Sequence, residues 1–174
     1  MKRILIAYAT KHGATAEIAV KVGAVLRQAG YELEIMPIEI VDDLDAFDVV
    51  IVGSAIYYGQ WRKDAVNFLR DHQNDLREKA VWLFSSGPTG EGDPVDLSQG
   101  VRYPEQLQDL IDSINPQSIA LFHGELNLNQ INRLERFIIN RIKAPTGDFR
   151  NWEMVEEWAQ SIVKSLRQRA LLEI

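Results

Sequence analysis

The sequence contains no cysteine, and that absence removes several kinds of chemistry. Without a thiol, the chain forms no disulfide bond, binds no metal through thiolates and has no cysteine nucleophile. The sequence also lacks any apolar run that approaches the length of a membrane span, and its N-terminus enters a strand pattern without a signal peptide. We therefore expect a cytoplasmic protein.

Basic residues are fewer than acidic residues in this chain. The chain has 19 Lys and Arg against 25 Asp and Glu, so its net charge is −6 at pH 7, which argues against nucleic acid as the main partner. Its 174 residues, of which 46% are hydrophobic and 25% charged, suit one soluble globular domain. Because no linker, repeat or low-complexity stretch interrupts the pattern, we expect residues 1–174 to form a single domain.

Short apolar runs alternate with helical patterns along the whole chain. Strands are predicted at residues 3–10, 31–38, 47–53, 79–86 and 118–124. Helices are predicted after the first strand up to residue 29, and at residues 61–76, 104–114, 129–143 and 151–172. Residues 54–60 and 87–94 are predicted to be loops. Five strands alternating with helices indicate an α/β fold with a doubly wound parallel sheet.

The turn after the first strand has the residue types of a phosphate site. Two hydroxyl side chains flank a glycine that lets the backbone approach closely, and two neighbours add positive charge or a ring nitrogen. The first N–H groups of the following helix and its dipole favour an anion there. The residues concerned are Thr10, Lys11, His12, Gly13, Ala14 and Thr15. On this stretch alone, an ordinary strand-to-helix turn is an equally good interpretation.

Two further loops follow strands at the same edge of the predicted sheet, where doubly wound folds bind ligands. The second loop places aromatic side chains beside a glycine, and from it we select Ala55, Ile56, Tyr57, Tyr58 and Gly59. The third loop is rich in glycine, and from it we select Ser86, Gly87, Thr89 and Gly90. A phosphate site next to aromatic rings describes a mononucleotide, FMN above all. We expect Tyr57 or Tyr58 to contact the flavin and Trp61 to pack in the interior.

Residues 10–15 are similar to the flavodoxin phosphate loop, and the chain resembles flavodoxin-fold proteins over its whole length. His12 replaces a hydroxyl residue of that loop and Ala14 replaces a common asparagine, so backbone N–H groups, Thr10 and Thr15 must do more of the binding. The resemblance implies a five-stranded sheet in the order 2-1-3-4-5. It also implies FMN as cofactor.

Residues 53–59 resemble the second loop of the bacterial menaquinone-dependent protoporphyrinogen IX dehydrogenases. An extra helical segment after the fifth strand, at residues 133–138, and the stretch Asn151-Trp152-Glu153 are similar to the same group. These are FMN enzymes that pass electrons from a haem precursor to the respiratory chain. The resemblance therefore implies a small organic donor and a quinone acceptor.

Other features favour a different function within the same fold. Members of that group carry a basic segment after the fourth strand, whereas Glu91, Asp93 and Asp96 make it acidic here. An acidic surface suits a flavodoxin-type carrier that docks a basic redox partner protein. A receiver domain of a response regulator is excluded, because Tyr8-Ala9-Thr10 stands where it needs acidic residues. The histidines are scattered, with His123 expected near the end of the fifth strand, and no hydrolytic triad is evident.

The segment at residues 129–143 has an apolar stripe in a basic setting. Ile131, Leu134, Ile138 and Ile142 recur on one side with Phe137 beside them, while four cations stand against one carboxylate. One interpretation, slightly favoured, is a helix packed on its own sheet that buries Phe137 and Ile138. The other is a docking helix beside the flavin that gives peripheral contact with the inner face of a membrane or with a quinone-bearing partner.

Overall fold

The computed structural model describes residues 2–172 and centres on one largely parallel sheet. The strands are β1 (Arg3–Ala9), β2 (Glu32–Pro37), β3 (Val49–Tyr57), β4 (Gln60–Trp61), β5 (Ala80–Ser86), β6 (Ser118–Phe122), β7 (Glu125–Leu126) and β8 (Gly147–Asp148). The sheet order is β2-β1-β3-β5-β6 with all these neighbours parallel, while β4 pairs with the end of β3 and β7 pairs with β8. The predicted order 2-1-3-4-5 is therefore confirmed, with β5 and β6 as its fourth and fifth strands.

Helices cover both faces of this sheet. They are α1 (Ala14–Gln28), α2 (Lys63–Asp71), α3 (Gln73–Arg77), α4 (Pro94–Leu97), α5 (Gln108–Ile114), α6 (Arg133–Ile142) and α7 (Trp152–Leu172), with 3-10 turns at Ile38–Ile40 and Glu105–Leu107. Alternate residues of β1 point to opposite sides: Ile4 and Ile6 pack with α1 and α7, and Leu5 and Ala7 pack with α2, α3 and α5. Because both faces are buried, the central strands are continuous apolar runs.

The register of the parallel strands brings their carboxyl ends level. Ala9 of β1 pairs with Ser54 of β3, and Ser54 pairs in turn with Ser85 of β5. Ser86, the last residue of β5, pairs with Phe122 at the end of β6. The loops that leave these strands therefore meet along one edge of the sheet, as the fold class requires.

The loop predicted at residues 54–60 is mostly strand. β3 continues to Tyr57, and β4 folds back on it with Ile56 opposite Trp61 and Tyr57 opposite Gln60. Tyr58 and Gly59 form the two-residue turn with φ values of 49° and 74°. Positive φ at both turn positions matches the twist of a tight hairpin, which explains why the strand does not stop at the predicted boundary.

The helix predicted at residues 61–76 begins later and is broken. Trp61 is held in β4, so α2 starts at Lys63. His72 has a φ of −101° and a ψ of 17°, and it separates α2 from α3. The segment predicted at 129–143 also starts later, because Asn132 caps α6 through its side chain and pairs reciprocally with Glu135. Finally, α4 is a short helix that the sequence did not predict, capped by Asp93.

No residue of α6 is buried, so the packed interpretation of this segment is wrong. The exposed fraction is 69% for Leu134 and 62% for Phe137. Neither of the two apolar cores that flank the sheet includes a residue of α6. Between residues 2 and 172, no helix has both the length and the apolarity to cross a membrane.

Gly53 lies in β3 against the ring of Phe84. A Cβ at this position would be 2.0 Å from the Phe84 Cζ atom, which is far inside van der Waals contact. The ring cannot move aside easily, because it is fully buried and packs against Phe122 and Trp158 at centroid distances of 6.0 and 5.8 Å. The strand therefore needs glycine here for space.

We predict that Gly53→Ala destabilises the protein by about 1–3 kcal/mol, because overpacking a tight core forces its neighbours to shift. Gly23→Ala in α1 is the matched control. Its Cβ would meet aliphatic side chains rather than a locked ring: the Ile35 Cδ1 atom at 2.5 Å, and the Ile35 Cγ1 and Leu33 Cδ1 atoms at 3.3 Å. Alanine is also favoured over glycine in a helix by about 1 kcal/mol. Urea unfolding of both variants measures the difference. Equal losses would show that space at Gly53 is not the limiting factor.

Candidate functional site

A cavity of about 230 Å³ opens at the carboxyl ends of the strands. Its lining includes eleven of the fifteen residues selected from the sequence, all but Lys11, Gly13, Gly59 and Gly90. The structure therefore brings the three predicted loops around one space. The other lining residues come from the insert between β6 and α7, and none of them was predicted.

The first loop ends in the amino terminus of α1. Gly13 is the cap residue, with a φ of +93°, and its N–H donates to the Thr10 Oγ1 atom at 3.0 Å. Nothing lies within 4 Å of a Cβ built at Gly13, so the backbone angle rather than space calls for glycine here. Since the first N–H groups of a helix have no partner within it, those of Ala14 and Thr15 remain as donors beside the cavity.

Thr15 and Ser86 form a hydroxyl pair beneath the cavity. Their Oγ atoms are 2.9 Å apart, and the two residues are 0% and 2% exposed. In such a pair one hydroxyl donates to the other, so one of the two protons remains for a further acceptor. Thr15 is therefore tied to the third loop as well as facing the cavity.

The hairpin of β3 and β4 forms one wall. The Tyr57 ring lies edge-on to the His12 ring, with centroids 6.2 Å apart, and the Lys11 Nζ atom is 6.0 Å from its centroid. Burial raises the pKa of the Tyr57 hydroxyl. Tyr58 is 69% exposed at the hairpin turn. Trp61 is buried and donates from its indole N–H to the Ser85 Oγ atom at 2.8 Å, as its predicted packing role requires.

His123 holds the third loop, a role that the sequence did not predict. It directly follows β6, as expected, and it is 4% exposed. Its Nδ1 atom lies 3.1 Å from the Pro88 carbonyl oxygen, and its Nε2 atom lies 2.8 Å from the Gly92 carbonyl oxygen. The loop is also packed tightly, because a Cβ on Gly87 would be 2.9 Å from the Ile56 Cβ atom.

The insert, residues 125–148, forms the remaining wall through β7, α6 and the residues next to them. It contributes apolar side chains to the cavity, namely Leu126, Ile131, Ile139, Ile142 and Ala144. It also contributes Glu135, which forms an ion pair with Lys11 and lies 3.9 Å from the His12 Nε2 atom. The hydrogen bond from Lys11 and the backbone N–H of Asn132 lower the pKa of Glu135. The insert thus contacts the first loop through charges.

A model of the flavodoxin domain matches residues 5–152, which is most of the chain. The chain belongs to the flavodoxin-domain family. Protoporphyrinogen IX dehydrogenase (quinone) of Escherichia coli (strain K12) is 22% identical over 172 residues, which cover 92% of this chain and 94% of that protein. The predicted resemblance to the flavodoxin family is therefore confirmed, and the E. coli similarity is weak but extends over nearly the full length.

Solved structures of flavodoxins share the fold of this flavodoxin-domain protein. A flavodoxin from the domain Archaea has a TM-score of 0.60 at 11% identity and covers 95% of this chain and 99% of its own. A Fusobacterium nucleatum flavodoxin mutant bound to flavin mononucleotide has a TM-score of 0.51 at 21% identity. The match covers 70% of this chain and 69% of that flavodoxin. The rubredoxin oxygen:oxidoreductase of Desulfovibrio gigas has a TM-score of 0.65 at 13% identity, and this chain spans 37% of its length.

The residues around the cavity fit FMN, the cofactor that membership of the flavodoxin family supports. At the α1 end, helix N–H groups and hydroxyls supply donors without a dedicated cation, which suits a phosphate. At the hairpin end, Tyr57 offers an aromatic face and Gly87 leaves backbone exposed to a flat ring. The sequence offered a helix beside the flavin only as an alternative and selected none of its residues for the site, since Ile131, Glu135 and Ile139 reach the cavity only through the folding of the insert.

We predict that Thr15→Val weakens FMN binding about tenfold or more and also lowers the stability of the flavin-free protein by about 1–3 kcal/mol. Valine keeps the shape of the side chain but leaves the buried Ser86 hydroxyl without its partner and removes a donor from the cavity. Thr15→Ser, which keeps the hydroxyl, is the control. Flavin fluorescence titration and urea unfolding measure the two effects. Unchanged affinity in Thr15→Val would place the phosphate elsewhere.

Proposed function

We propose that this protein is an FMN-dependent oxidoreductase that takes hydrogen from a small organic donor and passes electrons to a quinone. The proposal rests on one observation: the cavity has a second, apolar wall that a phosphate and a flavin ring do not account for. The name of the E. coli relative, a protoporphyrinogen IX dehydrogenase that uses a quinone, supports the same class of reaction here.

Bound FMN supplies the redox chemistry, and the protein binds it, orients it and shields it. In this proposal the amino terminus of α1, with Thr10 and Thr15, holds the phosphate. Tyr57 or Tyr58 contacts the ring from the hairpin, and the third loop, with Ser86, Gly87 and Thr89, borders its polar edge. The residues named in these contacts are seven of the fifteen selected from the sequence, and all seven line the same cavity.

The insert wall is the feature that favours an enzyme over a carrier. Ile131, Ile139 and Ile142 line the cavity opposite the loops that would hold FMN. An apolar surface facing a flat cofactor receives a hydrophobic second molecule, since burying apolar area is favourable and non-directional. A single-electron carrier between proteins, the alternative function, needs an exposed flavin edge and has no use for such a wall.

We predict that Ile139→Trp raises the KM for a soluble quinone such as menadione about tenfold or more. The larger ring fills the space beside the insert wall. Leu134→Trp is the matched control, because Leu134 lies on the same helix but is 69% exposed. FMN affinity is titrated separately for both variants, so that loss of cofactor is distinguished from loss of quinone binding. Identical quinone kinetics in the two variants, or reduction only of protein acceptors, would favour the carrier.

We further propose that α6 gives the protein peripheral contact with an anionic membrane surface. On the side of α6 away from the cavity, Leu134 and Phe137 expose 69 and 62% of their area to solvent. The same segment carries the basic residues Arg133, Arg136, Arg141 and Lys143. An apolar face flanked by cations is the pattern of a helix that lies in a membrane interface. Such contact brings the cavity close to the phase in which a quinone dissolves.

We predict that the protein floats with vesicles containing anionic phosphatidylglycerol at low salt and that Phe137→Ser abolishes most of this binding. The lost interaction is the burial of apolar area in the interface. Val20→Ser is the control, because Val20 is an apolar residue that is 55% exposed and belongs to α1 rather than to α6. If the wild-type protein stays in the soluble fraction with these vesicles, or if both variants lose binding equally, α6 is not a membrane-contact helix.

A further inference from the structure

Arg150, between β8 and α7, joins parts of the chain that are distant in sequence. Its side chain is only 5% exposed. It donates two hydrogen bonds of 2.8 Å to the two carboxylate oxygens of Asp148 and one of 2.8 Å to Glu17. The Glu125 carboxylate lies 3.2 Å from its Nη2 atom, and the guanidinium stacks over the Trp152 ring at 4.7 Å.

The three carboxylates belong to three separate segments. Glu17 is in the first turn of α1, whose N–H groups adjoin the cavity, and Arg150 also lies 3.5 Å from the Ala14 carbonyl oxygen of the same turn. Glu125 is in β7 and lines the cavity, and Asp148 is in β8 at the other end of the insert. Arg150 therefore links the first loop region to both ends of the insert.

We propose that Arg150 is a positioning residue, which fixes the insert against the first turn of α1 and so sets the spacing between the two walls of the cavity. Apart from Arg150, the insert contacts the first loop through the Lys11–Glu135 ion pair, and no residue of α6 is buried. The part of this proposal that concerns cofactor affinity rests on the proposed FMN site. The part that concerns the insert does not.

The geometry explains why arginine is required. Its planar fork meets the Asp148 carboxylate with two parallel hydrogen bonds and still has a donor left for Glu17. Lysine offers one compact charge and no such fork, so it keeps the charge balance but loses the geometry. A neutral side chain leaves three carboxylates close together with no cation between them, and their repulsion drives β7 and β8 away from α1.

The proposal predicts a graded series of variants. Arg150→Met keeps the apolar stem over Trp152 and removes the charge, whereas Arg150→Lys keeps the charge and removes the fork. Adding Asp148→Asn and Glu17→Gln to Arg150→Met relieves the repulsion and restores part of the loss. Lys21→Met is the matched control, because Lys21 also joins α1 to α7, through a 2.8 Å ion pair with Glu156 that is far more exposed.

Hydrogen–deuterium exchange of the flavin-free protein tests the insert directly. We expect Arg150→Met to speed exchange in residues 125–148 about tenfold or more, with no change in β1 and β3. Arg150→Lys gives a smaller increase, which provides the measurement if the methionine variant does not fold. Lys21→Met leaves the insert as in the wild type. Unchanged exchange of the insert in both Arg150 variants overturns the proposal.

Titration with FMN tests the link to the cavity. We expect the affinity to fall about tenfold in Arg150→Met and to recover in part when the two carboxylates are also neutralised. If exchange rises while the affinity stays constant, the insert is positioned by Arg150 but the link to cofactor binding is wrong. If the wild-type protein binds no FMN, the proposed function fails, and the exchange experiment still decides the role of Arg150.

Discussion

Parallel pairing on both sides of β1 is the constraint on which the rest of the structure depends. β1 lies between β2 and β3 in the sheet. The chain therefore passes from β1 through α1 to β2 on one side, and then crosses to the other side of β1, where it adds β3, β5 and β6 in turn. Right-handed crossovers then place α1 and α7 on one face and α2, α3 and α5 on the opposite face. The strand order thus reverses at β1, and the cavity opens beside this point, at the carboxyl ends of the strands.

The sheet and the insert are held by different forces. The sheet is fixed by two buried apolar cores in which strand residues such as Ile6 and Leu83 are fully covered. The insert has no such core and is attached by polar contacts, Glu135 to Lys11 at one point and Arg150 to its carboxylates at another. Polar contacts are weaker per residue and respond to charge, so the two walls of the cavity differ in rigidity.

The fold by itself does not choose between an enzyme and a carrier, because the same architecture serves both and function resides in what is added to it. In this protein the addition is the insert. Its inner side is apolar where it faces the cavity, at Ile131 and Ile139, and its outer side exposes Leu134 and Phe137. The insert therefore borders the cavity with apolar residues on one side and presents apolar residues to solvent on the other.

The order of the sheet was implied by the resemblance to flavodoxins. The residue pattern itself determined the alternation of strands and helices, the strand-to-helix turn at residues 10–15 and most of the cavity lining on the loop side. These features follow from short-range patterns: buried runs such as 49–52, the glycine at the start of α1, and hydroxyls at the ends of strands. Local pattern also fixed where α6 lies in the chain, although it misplaced its first residues.

Only the tertiary structure decided the rest. The extension of β3 depends on its pairing with β4. The sequence did not predict this extension, because the composition of residues 54–60 is typical of a loop. α6 is exposed because no other segment of the described chain packs over its outer side. The sequence could not show this, because the same apolar stripe occurs in helices that are packed and in helices that are not. Arg150 and His123 act on residues tens of positions away, at Glu17 and Pro88. Contacts of that kind are set by packing of the whole chain and leave no periodic signal in the sequence.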